Sequence, residues 1–309
     1  ERYNAMVIGN FEFNEHADVY GQASFTNTTV VQQVAPSGTF GSAFNVPMYN
    51  PLWPAAARTE VLAVANERLG TGVLTKGTNW QDLNNNNVVD QADILRMRLR
   101  RRTTEFGARS EAFDADAFTL LGGVKGQLLG DWNYDVSYQY GETNRTTTRA
   151  GYTNLTNIQN ALMTKDGKTC ENGDSACVPL NLFGGFGTIT PAMAAYSQAI
   201  ALLQLKYEQT VLQAVVDGPV EAIQLPTASS PLALSLGYEK RDEQGSTNPD
   251  ECLKLAPASC QGGAGGNLLP INGGFAVSEF FVEGLMPLIE ERQFVQSLGL
   301  EFGARQSDF

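Results

Sequence analysis

Histidine is almost absent from this chain: His16 is the only one in 309 residues. With a single imidazole in a short polar turn, no histidine-based metal centre and no nucleophile–His–acid constellation is recognisable. Cysteine is scarce as well. The four residues form two close pairs, Cys170/Cys177 and Cys252/Cys260, with no CxxC spacing, so a zinc site lacks its usual ligand set. Basic residues are outnumbered, 21 Lys and Arg against 33 Asp and Glu, and a net charge of −12 argues against nucleic acid as a partner. No run of about 18 apolar residues occurs, which excludes a transmembrane helix. Neither an initiator Met nor a signal peptide opens the sequence, and Glu1-Arg2-Tyr3 leads almost directly into a strand pattern. For an exported protein that implies a cleaved signal or an internal piece of a longer chain. No nucleophile elbow, phosphate loop or pair of catalytic carboxylates is recognisable, so the chain reads as a non-enzyme.

What the chain does have is alternation. Trp132, Tyr134, Val136, Tyr138 and Tyr140 are separated by Asn133, Asp135, Ser137 and Gln139. A strand sends successive side chains to opposite faces, so this one has an apolar face and a polar face. The pattern alone fits a half-buried soluble strand equally well. Its recurrence, with aromatics at the ends of the apolar runs, matches an outer-membrane barrel whose outer wall meets lipid. Eight strands are expected: about 3–13, 18–33, 94–129 with a kink around 107–114, one from 132, then 204–225, 232–245, 275–288 and 294–309. Short turns at 14–17, 129–131, 226–231 and 289–293 alternate with long connections at 35–93, 150–203 and 246–273. Barrels of bacterial outer membranes alternate short periplasmic turns with long extracellular loops in this way. Both ends of the sequence then lie on the extracellular side. The expected fold is all-β, an antiparallel transmembrane β-barrel segment of about eight strands with long extracellular loops. Phe118, Val136, Leu234, Val282 and Leu300 should face lipid.

The loops carry their own signals. Helices are expected over 54–69, from Pro54 to the stop at Gly70, and over 191–203, with Thr190 as N-cap. The cysteines lie in polar, Gly-rich loop segments, which suggests local disulfides, Cys170–Cys177 and Cys252–Cys260, formed in an oxidising compartment. Residues 82–93 follow the spacing of an EF-hand-type calcium loop. Asp82, Asn84, Asn86, Val88 (through its carbonyl), Asp90 and Asp93 fall at ligand positions 1, 3, 5, 7, 9 and 12, and Asn87 stands where glycine is usual. Asp replaces the usual Glu at the last position, and the alternative is an Asn-rich flexible loop. In a strand, Arg96, Arg98, Arg100 and Arg102 would share one face. That row could hold an anionic ligand, or pair with acidic residues of neighbouring strands, of loops, or of a part of the protein outside this sequence. Trp53 and Trp80, in the first long loop, are candidate stacking platforms for a ligand. His16 sits in a short polar turn and should be exposed.

Several segments resemble TonB-dependent outer-membrane receptors of proteobacteria. They are CVPLNLFGG at Cys177–Gly185, followed by Gly187-Thr-Ile-Thr-Pro191, the Gly-Gly-Val-Lys-Gly strand at 122–126, Leu-Gly-Tyr-Glu-Lys-Arg at 236–241, and Phe302-Gly-Ala-Arg-Gln-Ser-Asp-Phe309. Together they span most of the sequence in family order. The resemblance implies a middle section of a larger, 22-stranded barrel, with the plug domain and its coupling box outside this sequence. It further implies a receptor importing a scarce small solute, such as a siderophore or glycan, driven by the TonB complex through that plug. A passive porin-like channel, and a surface structural or adhesive protein, remain the alternatives.

Overall fold

The computed structural model describes residues 1–256, 259–262 and 266–309. Eleven strands follow in chain order: β1 (Arg2–Asn14), β2 (Ala17–Val34), β3 (Phe44–Pro47), β4 (Trp80–Gln81), β5 (Ile94–Met97), β6 (Arg109–Leu129), β7 (Trp132–Thr153), β8 (Gln198–Val220), β9 (Leu232–Pro249), β10 (Ile271–Arg292) and β11 (Val295–Asp308). The eight long ones form a single sheet in the order β1-β2-β6-β7-β8-β9-β10-β11, and every neighbouring pair is antiparallel. The all-β antiparallel class expected from the alternation is the class observed. The sheet is open, with β1 and β11 at its edges.

Local chemistry sets the turns. The His16 N–H donates to Asn14 Oδ1 at 2.9 Å, an Asx turn closing β1 onto β2. Gly130, at φ +58°, supplies the left-handed residue between β6 and β7. Within the sheet, Phe302 lies directly across from Gly284, and Tyr20 from Gly123. Each ring covers the facing glycine so closely that a Cβ there would collide with it.

Three expectations need correction. The element expected over 94–129 is two: β5 belongs to a separate three-stranded sheet, β3-β5-β4, and β6 starts only at Arg109. A short 3-10 turn at Thr104–Phe106, followed by Gly107 at φ +81°, breaks the chain between them. The helix starting at Pro191 ends at Ser197 rather than 203, because Gln198 already pairs with Thr153 as the start of β8. The long connections are therefore 35–108 and 154–197, and the third runs over 250–270.

Among the described residues four α-helices lie in these connections: α1 (Ala55–Gly70), α2 (Leu155–Leu162), α3 (Pro191–Ser197) and α4 (Glu251–Lys254). Thr190 caps α3 as expected, its hydroxyl accepting from the Met193 N–H at 3.4 Å. α2 was not foreseen. Asn154 caps it by accepting from the Asn157 N–H at 3.0 Å, and Leu155, Ile158, Ala161 and Leu162 are all buried. Among the described residues no helix is long and apolar enough to cross a membrane.

The buried core lies beyond one end of the great sheet rather than on its face. Phe44, Val46, Met48, Trp53, Trp80 and Leu95 from the first long connection meet Leu155, Ile158, Leu162, Leu180, Leu182 and Ile189 from the second. The two connections thus fold together as one cap with its own hydrophobic centre.

Candidate functional site: an apolar belt and a folded cap

The eight-stranded sheet is inside out by the standards of a soluble domain. One face carries Val7, Gly9 and Phe11 of β1, Val19, Ala23 and Phe25 of β2, and Phe118, Leu120 and Val124 of β6. It continues through Tyr134, Val136 and Tyr138 of β7, Leu212 and Val216 of β8, and Leu234 and Leu236 of β9. Phe280 and Val282 of β10, with Leu298, Leu300 and Phe302 of β11, complete it. The pairing register puts all of these on one side. This face is the more open one. Val136 is 39% exposed and Tyr138 52%, whereas the polar Ser137 and Gln139 alternating with them are half-buried. In a soluble protein an apolar face of this extent is covered by a second layer.

The belt also has a slope. Direct cross-strand partners run Gln22, Leu121, Gln139, Val211, Arg241, Val277 from β2 to β10. The apolar stretch is centred on Gln22 in β2 (19–25) but on Glu283 in β10 (280–286), six residues nearer the short turns than Val277. A drift of six residues at about 3.3 Å, over five strand spacings of about 4.8 Å, is a slope of about 40°. Strands of membrane barrels tilt by roughly 35–45°. A level apolar belt drawn across strands tilted that much drifts through the register at this rate. On the cap side the belt ends in aromatics, with Phe118 and Tyr140 rings 5.7 Å apart and Tyr238 and Phe280 rings 4.8 Å apart. Polar groups follow immediately: the Tyr140 hydroxyl lies 2.8 Å from the Glu142 carboxylate and 3.0 Å from that of Glu208, with one proton to share between them.

The cap changes the place of several expected site residues. Trp53 stacks on Phe183 and Trp80 is 2% exposed, so neither indole is open to a ligand. Cys170 is bonded to Cys177, and Cys252 to Cys260. Cys177 is buried in the cap core, so the first bridge braces a folded unit instead of a loose loop tip. The connection most important to the cap came from a residue not singled out in the sequence. Arg101 points inward and is buried. Its guanidinium donates to Glu105 at 2.6 Å, to the Asn181 carbonyl at 2.6 Å and to the Gly185 carbonyl at 2.8 Å. Glu105 in turn accepts from the Gly187 N–H at 2.8 Å. Burial pushes the Glu105 carboxyl upward, but its own and the Gly187 peptide N–H groups, with the Arg101 charge, hold it below the usual range.

Residues 82–93 form a compact polar turn. Asp82 accepts from Lys76 Nζ at 2.8 Å and from the N–H groups of Asn87 at 3.0 Å and Asn86 at 3.3 Å. Asn87 takes φ +58°, the left-handed conformation its position requires. Asn84 and Asn86 donate their amide nitrogens to Asp90 at 2.9 and 2.6 Å. The Lys76 hydrogen bond, helped by the two N–H groups, holds the Asp82 carboxyl below its ordinary value; the Ala92 N–H and the two amides do the same for Asp90. Asp93 is placed differently from the other five. It is fully buried, and its oxygens accept from Trp80 Nε1, the Leu83 N–H and the Asp90 N–H, each at 3.0 Å. With both oxygens engaged it organises the turn and does not face a cation. Among the described residues no three His, Cys, Asp or Glu side chains gather into a metal-holding group. The donor set fits calcium in part: four side chains and the Val88 carbonyl share the turn, and the Lys76 ammonium competes for Asp82.

Only Arg96 of the arginine row belongs to a strand, yet the alternation persists. Arg96, Arg98, Arg100 and Arg102 are exposed, while Met97, Leu99 and Arg101 turn inward. Among the described residues no carboxylate lies within ion-pair distance of Arg96, Arg98 or Arg100. Arg102 donates to the Pro36 carbonyl at 2.7 Å and lies over the Phe40 ring. His16 is exposed as expected; its ring bonds the Gln127 carbonyl at 2.8 Å. No family model matches this chain, and no curated protein matches it.

Proposed function

We propose that this chain forms part of the wall and the outer cap of an outer-membrane transporter of the TonB-dependent receptor type, one that imports a scarce small solute. The observation that carries the reading is the uncovered apolar belt, crossing eight antiparallel strands at a slope of about 40°. In this reading bilayer lipid covers the belt, the polar face lines the interior, and the cap stands outside the cell. The chain needs neither catalytic residues nor nucleic acid for this task. The edges β1 and β11 would be continued by further strands, since unpaired strand edges are not tolerated in lipid. A plug elsewhere in the protein would couple the wall to the TonB complex. The segments that carry the family resemblance support the reading by their positions: 122–126 on β6, 236–241 on β9 and 302–308 on β11 lie in the great sheet, and 177–185 meets Arg101 in the cap.

Calcium has a secondary, structural place in the proposal. Asp82, Asn84, Asn86, the Val88 carbonyl and Asp90 would hold it weakly, as suits millimolar extracellular calcium, with Asp93 bracing the turn through Trp80. The transport reading is tested in cells lacking the protein and grown on a limiting solute, such as chelated iron or a single glycan. Uptake should depend on the protein and stop when the inner-membrane proton gradient is collapsed. Uptake that survives the collapse would point to a passive channel instead.

A further inference from the structure

The solvent-facing arginines of the cap form a ridge that the transport reading does not use. Arg96 lies in β5 and Arg98 and Arg100 follow it, all three exposed in alternation with inward Met97, Leu99 and Arg101, and among the described residues no carboxylate lies within 4.0 Å of their guanidinium groups. On a protein of net charge −12 this is an exceptional concentration of positive charge. The backbone beneath is held rigidly. The Arg96 N–H donates to the Asn79 carbonyl at 2.9 Å and the Thr39 N–H to the Arg101 carbonyl at 2.9 Å; the Thr39 hydroxyl also bonds the Leu99 carbonyl. Met97 and Leu99 pack against the cap core, and buried Arg101 pins the segment from the inner side. The ridge is therefore pre-organised, and little order has to be gained when it binds.

Alternate residues of an extended chain are about 6.6–7 Å apart. A second extended chain with carboxylates at alternate positions has the same repeat, so each guanidinium can meet one carboxylate in register, in the bidentate geometry that arginine favours. We propose that the ridge is a docking site for an extended acidic peptide segment of a partner protein, with Asp or Glu at every second residue. Charge complementarity selects an acidic partner, and the matched repeat selects an extended polypeptide over other polyanions.

The test uses the full chain in detergent micelles and two fluorescein-labelled octapeptides of identical composition. One alternates Asp with Ser; the other carries its four Asp residues in one block. An oligogalacturonate of equal charge represents anionic glycans. The alternating peptide should bind at least about tenfold more tightly than the block isomer and the glycan, with affinity falling steeply as salt rises. The triple variant Arg96→Gln/Arg98→Gln/Arg100→Gln removes exposed groups only, so it should fold normally and lose about tenfold or more in affinity. Arg68→Gln, on the exposed side of α1, should bind as the parent does. Equal binding of the two isomers, tighter binding of the glycan, unchanged binding by the triple variant, or no peptide binding at all would each overturn the proposal. Failure of transport assays would leave these outcomes unaffected.

Discussion

Trp53 and Phe183 stack with ring centroids 4.0 Å apart and planes 23° from parallel, joining two connections separated by the whole of β6 and β7. Their contact makes the cap one folded unit. Trp53→Ala should therefore destabilise the cap by about 3–5 kcal/mol, the usual cost of truncating a buried aromatic. Urea unfolding followed by Trp80 fluorescence should show an earlier cap transition, with the strand signal in circular dichroism unmoved. Simultaneous loss of both signals would mean that cap and sheet are a single cooperative unit.

Arg101 and Glu105 supply the polar half of the same joint. Arg101→Ala leaves Glu105 buried beside orphaned carbonyls, and should cost about 3–5 kcal/mol of cap stability. The double change Arg101→Met/Glu105→Leu should recover much of that loss, because it removes both buried charges together. Proteolysis within 181–188 reads the effect directly: rapid in Arg101→Ala and slower again in the double variant. Equal cleavage of the parent and Arg101→Ala would show that this contact does not hold the turn.

Acid should loosen the cap. The Asp82 and Asp90 carboxyls are held below the ordinary aspartate value of 3.8, and Asp166 is lowered as well, mainly by the Thr169 and Lys168 N–H groups. Glu105 is lowered from 4.5. Groups depressed by folding stabilise the folded state above their unfolded values and lose that contribution as pH falls through the folded ones. Amide protection factors in 76–105 and 164–188, corrected for the intrinsic pH dependence of exchange, should therefore fall below about pH 4 and stay flat between neutral pH and pH 6. Stronger protection at pH 3 than at pH 7 would contradict the sign.

Calcium and Lys76 should compete. Calorimetry at millimolar calcium should detect weak binding, abolished by Asp82→Ala. Lys76→Met should strengthen it by about tenfold, about 1.4 kcal/mol, by removing the ammonium at Asp82. Absence of binding in both the parent and Lys76→Met would leave 82–93 as a turn neutralised by lysine alone.

Much of the wall was legible in the sequence because period-two alternation is a local property. Val136 and Tyr138 announce their face without knowledge of any other strand, and so do Leu298 and Leu300. The short turns were legible for the same reason, through Asn14 and Gly130. The cap was not. Trp53 and Trp80 read as exposed aromatics because their covering partners, Phe183 and Asp93, come from distant residues or from a turn whose shape is not local. Arg101 was hidden inside an arginine run: alternation put it on the face of Met97 and Leu99, but nothing local announced Glu105 and the Asn181 and Gly185 carbonyls that let a guanidinium be buried there. The split between β5 and β6 was legible only as a kink around 107–114; that the two parts join different sheets depended on pairing partners distant in sequence. The slope of the belt required the register of every strand pair, which no single strand contains.

The central claim is that the apolar face meets lipid, and site-directed spin labelling in reconstituted bilayers tests it most directly. The native cysteines are all in disulfides, so single labels can be introduced at Val136, Ser137, Leu300 and Gly299 without competing thiols. Labels at 136 and 300 should relax strongly with oxygen, which partitions into lipid, and weakly with a water-soluble nickel chelate. Labels at 137 and 299, on the opposite face, should show the reverse. Val136→Arg and Leu300→Arg should then cost about 2–4 kcal/mol each near the bilayer midplane. Equal access of the nickel chelate to positions 136 and 300 would place the belt in water and contradict the account.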